Sequence, residues 1–491
     1  MIRRRGAILA TLLLWTPVRS APQEPLRLPN DTEIRDRLRA YVDDAKAAPG
    51  VVVGILEDGR RRCVAHGRSG IPEHPDLDCT TYFELGSITK VLTGQLLADA
   101  VERGEVRIDQ PIGGLFPPGI RLSAGRAAIT LEDLATHHSG LPRIALDPGP
   151  LLRGLTTRDP YAGSTPDELF RSVAKVPERF EGARGRFAYS NLGMAVLGQI
   201  LARRAGRSYD ALLRERVLRP MGLEDVVVGQ ADPHSHAVAR GHLENLRPAV
   251  AWHLDAYAPA GALSATAEQM LVFLEKALAG EPPALREAER SRRPAGESAG
   301  RTIGLGWLHR RVRERDVIWH NGGTGGFRTF LALVPEDRIG LVVLTNGTGD
   351  ADALALALLD PALHSPRSRR PNWWAVALTF GAVAMPSLVL SGWIRRRRGA
   401  RGPGPPLDRL GLAAALATSA IVLLAAERLG TWADIPFTIW SSSVVVGSVI
   451  GIAACWEARH LAWYEPTTRP GPRWRVLGLA LRAGVLALLS S

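Results

Sequence analysis

Lysine is nearly absent. Of 61 lysines and arginines in 491 residues, only Lys46, Lys90, Lys175 and Lys276 are lysine. A guanidinium does not release its proton near neutrality, so the chain has few amines that can act as a base. One of the four stands in FELGSITK at 83–90, three residues after Ser87. The arginine excess gives a formal charge of +12, yet the arginines are spread along the chain. Their one dense cluster, Arg395 to Arg398, directly follows an apolar segment, which argues against a nucleic-acid surface. Metal-site spelling is missing as well. No H-E-x-x-H or paired C-x-x-C occurs, and His137 and His138 are adjacent instead of at helical ligand spacing, so no metal or other cofactor is expected. No internal repeat is visible.

What is present divides into blocks. The opening MIRRRGAILATLLLWTPVRSAPQ has a basic start, an apolar run and small residues near Ser20 and Ala21. Residues 1–20 therefore read as a signal peptide, with an uncleaved anchor as the other reading, and both export the chain. In an oxidising compartment Cys63 and Cys79 are either paired or buried thiols, and Cys455 packs in an apolar segment. Residues 361–372, including SPRSRRP, read as a linker to a membrane domain over 373–491 with three or four transmembrane helices. Trp373 to Trp393 carries no charge and precedes RRRRGAR, a cytoplasmic flank under the positive-inside rule; further spans run near Leu410–Ala426 and Pro436–Cys455. The stretch from Val476 is either a fourth span or an interfacial helix. The chain is thus expected to be a multi-pass membrane protein, with residues 30–360 extracytoplasmic.

Within residues 30–360, DTEIRDRLRAYVDDAKAA places Ile34, Leu38, Tyr41 and Val42 at helical spacing after an Asp31 cap. Two hairpins follow from the turn chemistry, one at Asp58-Gly59 and one at Glu336-Asp337, with mainly helical patterns between them. Strands at both ends and helices between predict an α+β unit in which the two chain ends share one antiparallel sheet.

Three segments carry chemistry. Ser87-Ile88-Thr89-Lys90 opens an apolar helical stripe, so the serine sits at a helix N-terminus with Lys90 returning to its face one turn on. A neutral lysine there can take the hydroxyl proton and make a nucleophile. The same S-x-x-K spacing at Ser172 to Lys175 falls mid-helix and reads as a solvated face. Tyr189-Ser190-Asn191 is the one Y-x-N in the chain, and a tyrosine whose pKa adjacent cations lower can relay a proton to a leaving group. His320-Asn321-Gly322-Gly323 stands at a strand, where its glycines admit a ligand close to the backbone, and all four residues are expected to contact substrate. His138-Ser139-Gly140 also fits H-x-G but reads as a helix end and turn.

Together FELGSITK, ITLEDLATHHSGLP, YSNLGMAVLG, PAGALSATAEQMLVFL and HNGGTGGF resemble the serine β-lactamase and penicillin-binding-protein family, in its class C, D-aminopeptidase and carboxylesterase-like branch. The resemblance implies an antiparallel sheet flanked by helices, an all-helical lobe beside it and a site in the cleft between. Carried over, Ser87 is the acylated nucleophile, Lys90 its base and Tyr189 the second acid/base group. Asn191 holds the substrate amide, and the amides of Ser87 and Gly323 form the oxyanion hole. His320-Asn321-Gly322 stands where the family's β-lactamases and D,D-carboxypeptidases usually have K-[TS]-G, and a mostly neutral histidine weakens carboxylate recognition.

The function expected is a membrane-anchored extracytoplasmic serine hydrolase acting through an acyl-enzyme on an ester or on a peptide or amide with a D-residue. Its partners are a small-molecule or peptide substrate and the membrane. The rival readings are a non-hydrolytic penicillin-binding receptor or sensor, and a true β-lactamase or D,D-carboxypeptidase.

Overall fold

A computed structural model describes residues 26–146, 159–244, 246–296 and 300–362, and in the C-terminal part 384, 387–396, 408–429 and 437–463. The expected signal peptide, nearly all of the linker, most of the first span and the segment from Val476 lie outside these residues.

The chain enters through a helix, Asp31–Arg39. Its cap is Asn30, one residue before the expected Asp31: Asn30 is extended, and its side chain accepts from the amides of Thr32 and Glu33 while Glu33 reaches back to the Asn30 amide. Asp31 becomes the first helical residue, where its charge suits the helix dipole. Strands β1 (Gly50–Glu57) and β2 (Arg60–Gly67) then form the hairpin expected around Asp58-Gly59. Near the other end β10 (Arg328–Val334) and β11 (Ile339–Thr345) form the second, joined by a short turn over Pro335–Asp337.

One eight-stranded antiparallel sheet contains both hairpins. With β6 (Arg293–Pro294), β7 (Thr302–Ile303), β8 (Leu308–Val312) and β9 (Arg315–Gly323), its order is β2-β1-β11-β10-β9-β8-β7-β6. The N-terminal strand β1 is hydrogen-bonded to the C-terminal strand β11, with Val51 opposite Thr345, so the two chain ends share the sheet. A smaller three-stranded sheet, in the order β3-β5-β4, joins β3 (Phe83–Glu84), β4 (Val227–Val228) and β5 (Leu263–Ala265).

The period of two along each central strand separates two cores. Val51, Val53 and Ile55 of β1 pack with Ile34 and Leu38 of the first helix and with Leu354 and Leu358 of the helix Ala351–Leu359. Val52 and Leu56 face the opposite way, into a larger core with the helices Thr89–Glu102, Asn191–Ala205 and Ala267–Ala279. Each fully buried leucine or valine contributes about 1.5–3 kcal/mol, so the strand is held from both sides. Cys63 of β2 and Cys79 form a disulfide, which resolves the alternative left open above.

Among the described residues the expected transmembrane helices are not found. Two long helices, Arg409–Leu429 and Phe437–Ala458, overlap the second and third expected spans and meet through Leu412, Ala415, Ala454 and Ala458. Among the described residues no helix is long and apolar enough to cross a membrane.

Candidate active site

The site forms where the larger core meets β9. Gly86–Ile88 is a single 3-10 turn leading into the helix Thr89–Glu102. Gly86 has φ +55°, a conformation that favours glycine. The turn is anchored on both sides: Leu85 donates its amide to the Leu263 carbonyl at 2.7 Å, and Thr89 Oγ1 donates to the Gly86 carbonyl at 2.7 Å. From β10, Thr329 Oγ1 donates to the Leu85 carbonyl at 2.8 Å.

Two glycines allow β9 to lie against this turn. A β-carbon on Gly86 would come within 2.6 Å of the Gly323 amide nitrogen, and one on Gly322 would enter the Leu85 carbonyl oxygen. The backbones of the nucleophile turn and of the end of β9 are therefore in direct contact, an arrangement in which two amides can face one oxygen.

Lys90, on the first turn of its helix, is fully buried, and its Nζ is hydrogen-bonded to Ser87 Oγ at 2.9 Å and to the Ala260 carbonyl at 2.6 Å. Burial, reinforced by the charge of Arg143, drives its pKa well below the ordinary lysine value, so the amine is held toward its neutral form. Ser87 itself is half-buried. Tyr189 hydrogen-bonds with Ser87, and the Lys90 amine lies 4.9 Å from the centre of its ring. The structure thus brings Ser87, Lys90 and Tyr189 together. It reverses one expectation: burial dominates at Tyr189 and pushes its hydroxyl up to about 12, although the bond to Ser87 and the Arg143 charge oppose the rise. Tyr189 is a neutral phenol, and the proton-poor partner is Lys90.

Asn191 begins the helix Asn191–Ala205, whose Ser190 cap accepts from the Gly193 amide at 2.9 Å and donates to the Pro142 carbonyl at 2.7 Å. Asn191 Nδ2 donates to the Tyr161 hydroxyl at 3.1 Å, while its Oδ1 is buried without a partner. An acceptor is left over for an N–H group.

The H-x-G segment divides between the two faces of β9. His320 and Gly322 look toward the larger core, with Leu331 and Thr329 opposite them on β10. Asn321 lies on the other face with Trp319 and Phe330, and its Nδ2 donates to Asp352 at 2.6 Å. Asn321 is thus turned away from Ser87, which corrects its expected contact with substrate: adjacent strand residues cannot both face one cleft. His320 is buried, its Nδ1 bonds to the Asn321 carbonyl at 2.5 Å, and its pKa is lowered to about 3 by burial and by the nearby Lys90. It is neutral at every physiological pH.

The motif treated as a decoy contributes a neighbour. Thr136 to Gly140 does end a helix, Leu131–Ala135, with His137 at φ +60° and Gly140 at φ +72°. Yet His137 lies under Tyr189 with ring centres 4.5 Å apart, and its Nδ1 accepts from the Ser190 amide at 3.3 Å. Burial and the nearby Lys90 lower its pKa well below the usual histidine value, so the ring is neutral with its proton on Nε2. Its partner is 53 residues away in sequence, and the one local signal was the pair of histidines before Ser139-Gly140. The second S-x-x-K, Ser172 to Lys175, ends the amphipathic helix Pro166–Lys175.

Comparison with known proteins bears on the family and the fold. Residues 34–363 match the family profile described as Beta-lactamase. The chain is 26% identical over 335 residues to the D-alanyl-D-alanine-carboxypeptidase/endopeptidase AmpH of Escherichia coli, covering 64% of this chain and 84% of the relative. It is 26% identical over 326 residues to penicillin-binding protein 4 of Amycolatopsis lactamdurans, covering 61% and 81% respectively. Among solved structures, a class C β-lactamase from Rhodobacter sphaeroides superposes with a TM-score of 0.58 at 22% identity, covering 67% of this chain and 97% of that one.

Proposed function

The chain belongs to the β-lactamase family, and on that footing we propose that it is a serine hydrolase that forms an acyl-enzyme at Ser87. The observation that carries the reading is the buried amine of Lys90, 2.9 Å from Ser87 Oγ and held toward neutrality by its surroundings.

In this mechanism Lys90 takes the Ser87 proton as Oγ bonds to the substrate carbonyl carbon. Negative charge gathers on the carbonyl oxygen between the amides of Ser87 and Gly323, where no solvent has to reorganise. Tyr189, a neutral phenol bonded to Ser87, passes a proton to the departing alcohol or amine. Water then attacks the acyl-enzyme and the proton transfers run in reverse. Asn191 Oδ1 is the acceptor for a substrate N–H, while His320 and His137 flank Tyr189 as uncharged rings. The neutral His320 supports a preference for esters or amides without a free carboxylate at the scissile bond, including bonds beside a D-residue. We extend the proposal to membrane anchoring of residues 373–491, with the hydrolase outside. Its support is the apolar surface that Val445, Val449, Ile452 and Trp456 expose along the helix Phe437–Ala458.

A fluorophosphonate or penicillin probe tests the assignment. Ser87→Ala loses covalent labelling and Ser172→Ala keeps it; labelling that survives in the Ser87 variant removes Ser87 from the mechanism. A burst followed by turnover on nitrophenyl esters separates a hydrolase from a receptor, which gives the burst alone. For anchoring, a cysteine at Gly399 is predicted to be shielded from an impermeant reagent in intact cells, and its labelling there overturns the topology.

A further inference from the structure

A cavity and a carboxyl outside the mechanism share one wall. A cavity of about 310 Å³ is lined in part by Phe83, Glu84, Arg240, Val250, Ser264 and Phe327. Glu84 lies on β3 opposite Ser264 of β5, three residues before Ser87. Thr324, the residue after Gly323, is a near neighbour of the Glu84 carboxyl, and its Oγ1 is buried without a hydrogen-bond partner. The carboxyl therefore stands beside the segment whose amide is assigned to the oxyanion. Gly326 and Phe327, three and four residues after Gly323, line the cavity as well, so the cavity and the oxyanion segment share one stretch of chain.

Glu84 is half-buried, and among the described residues no lysine or arginine forms an ion pair with it. The charges acting on it are Asp159 and His253. Those two are engaged with each other: Asp159 Oδ2 is 3.5 Å from His253 Nδ1 and accepts the His253 amide at 2.6 Å, and its Oδ1 accepts the Tyr161 and Ala162 amides. Arg240 lines the same cavity as an exposed residue.

We propose that Glu84 binds an ammonium group of the substrate, and that the cavity takes the apolar substituent that carries it. The inference rests on the acyl-enzyme reading and adds a substrate class to it: esters or amides with a primary or secondary amine a short apolar arm away from the scissile bond. Phe83 and Phe327 supply apolar surface for that arm, and a cation near a carboxylate in a partly desolvated wall makes a charge-assisted hydrogen bond. Burial raises the Glu84 pKa to about 7, so an ionised Glu84 without a counter-charge is costly there, and a bound ammonium favours its ionisation. A purely structural Glu84 would alter all substrates alike.

The test is therefore a ratio. Matched 4-nitrophenyl esters with an aminohexanoyl or an N-acetylaminohexanoyl acyl group, and matched hexanoate esters of phenols bearing an aminomethyl or an acetamidomethyl group, are compared by kcat/KM on wild type and Glu84→Gln. In at least one pair the wild type prefers the amine by about ten-fold or more at pH 8. The preference falls as pH drops through about 7, where Glu84 takes up its proton, and in Glu84→Gln it is near unity at every pH. A wild-type ratio near unity in both pairs, a ratio that ignores pH, or a preference retained in Glu84→Gln overturns the inference. If Glu84→Gln does not fold, the pH course of the wild type decides alone. Fluorophosphonate labelling of wild type is run first. Its absence overturns the acyl-enzyme reading, and labelling without amine preference overturns only the role of Glu84.

Discussion

The amine of Lys90 lies 2.9 Å from the hydroxyl oxygen of Ser87, one helical turn along the chain, and is fully buried. Because burial lowers its pKa, the unprotonated, active form is already present well below the ordinary lysine range. Acylation is expected to rise with pH through that lowered value and to reach its plateau well before pH 10.5. Lys90→Arg keeps a cation and loses the base, so acylation should fall by about 10²–10⁴-fold. Stopped-flow acylation across pH checks both; an arginine variant with near wild-type rate removes Lys90 as the base.

Tyr189 gives a prediction at the other end of the pH scale. Its hydroxyl is raised to about 12, so loss of its proton produces no alkaline limb below about pH 11. Tyr189→Phe keeps the ring between His137 and Lys90 while deleting the donor, and kcat is expected to drop by about 10²–10⁴-fold. An alkaline limb in wild type between pH 8 and 10 that disappears in Tyr189→Phe would show a far more acidic phenol than burial allows.

Contact between β9 and the nucleophile turn makes a third case. Gly322→Ala places a methyl group in the Leu85 carbonyl, so the turn and the strand must separate. The cost is expected to be about 1–3 kcal/mol in stability, with loss of acylation. Gly114→Ala, at a position with open space around it, should leave thermal melting within about 0.5 kcal/mol of wild type. Thermal denaturation and probe labelling of the two variants give the comparison. Equal behaviour means that the strand has room to give.

His320 is where carboxylate selection should lie. Wild type is expected to hydrolyse a methyl-ester-bearing substrate in preference to its free-carboxylate counterpart, and His320→Lys should shift that kcat/KM ratio toward the carboxylate by about ten-fold or more. A ratio unchanged by the substitution assigns His320 a packing role beside Tyr189 and Lys90 only.

Residues that work through short spacing were legible in the chain. Ser87 and Lys90 are one turn apart, so sequence alone brings them to one face, and both hairpins announce themselves through their turns. The period of a strand also carried usable information about Asn321, since it cannot share a face with His320 and Gly322. Burial was not legible. The raised hydroxyl of Tyr189, the neutral ring of His137 beneath it and the half-buried carboxyl of Glu84 depend on segments far apart in sequence closing over one another. The apolar character of residues 373–491 was plain, and among the described residues no helix is long and apolar enough to cross a membrane.

The pairing of β1 with β11 has a temporal side. A chain made from its N-terminus exposes Ser87 and Lys90 long before Gly323 exists, and β1 waits for β11, close to residue 345, before its outer edge is covered. Such distant pairing folds slowly, because loop closure has to be completed before the contacts reward it. Until then the nucleophile lacks the second amide that would stabilise an oxyanion. Synthesis therefore yields an inert serine first and an armed one only when the last strands are in place, so a chain cut short before β9 has the motif without the chemistry.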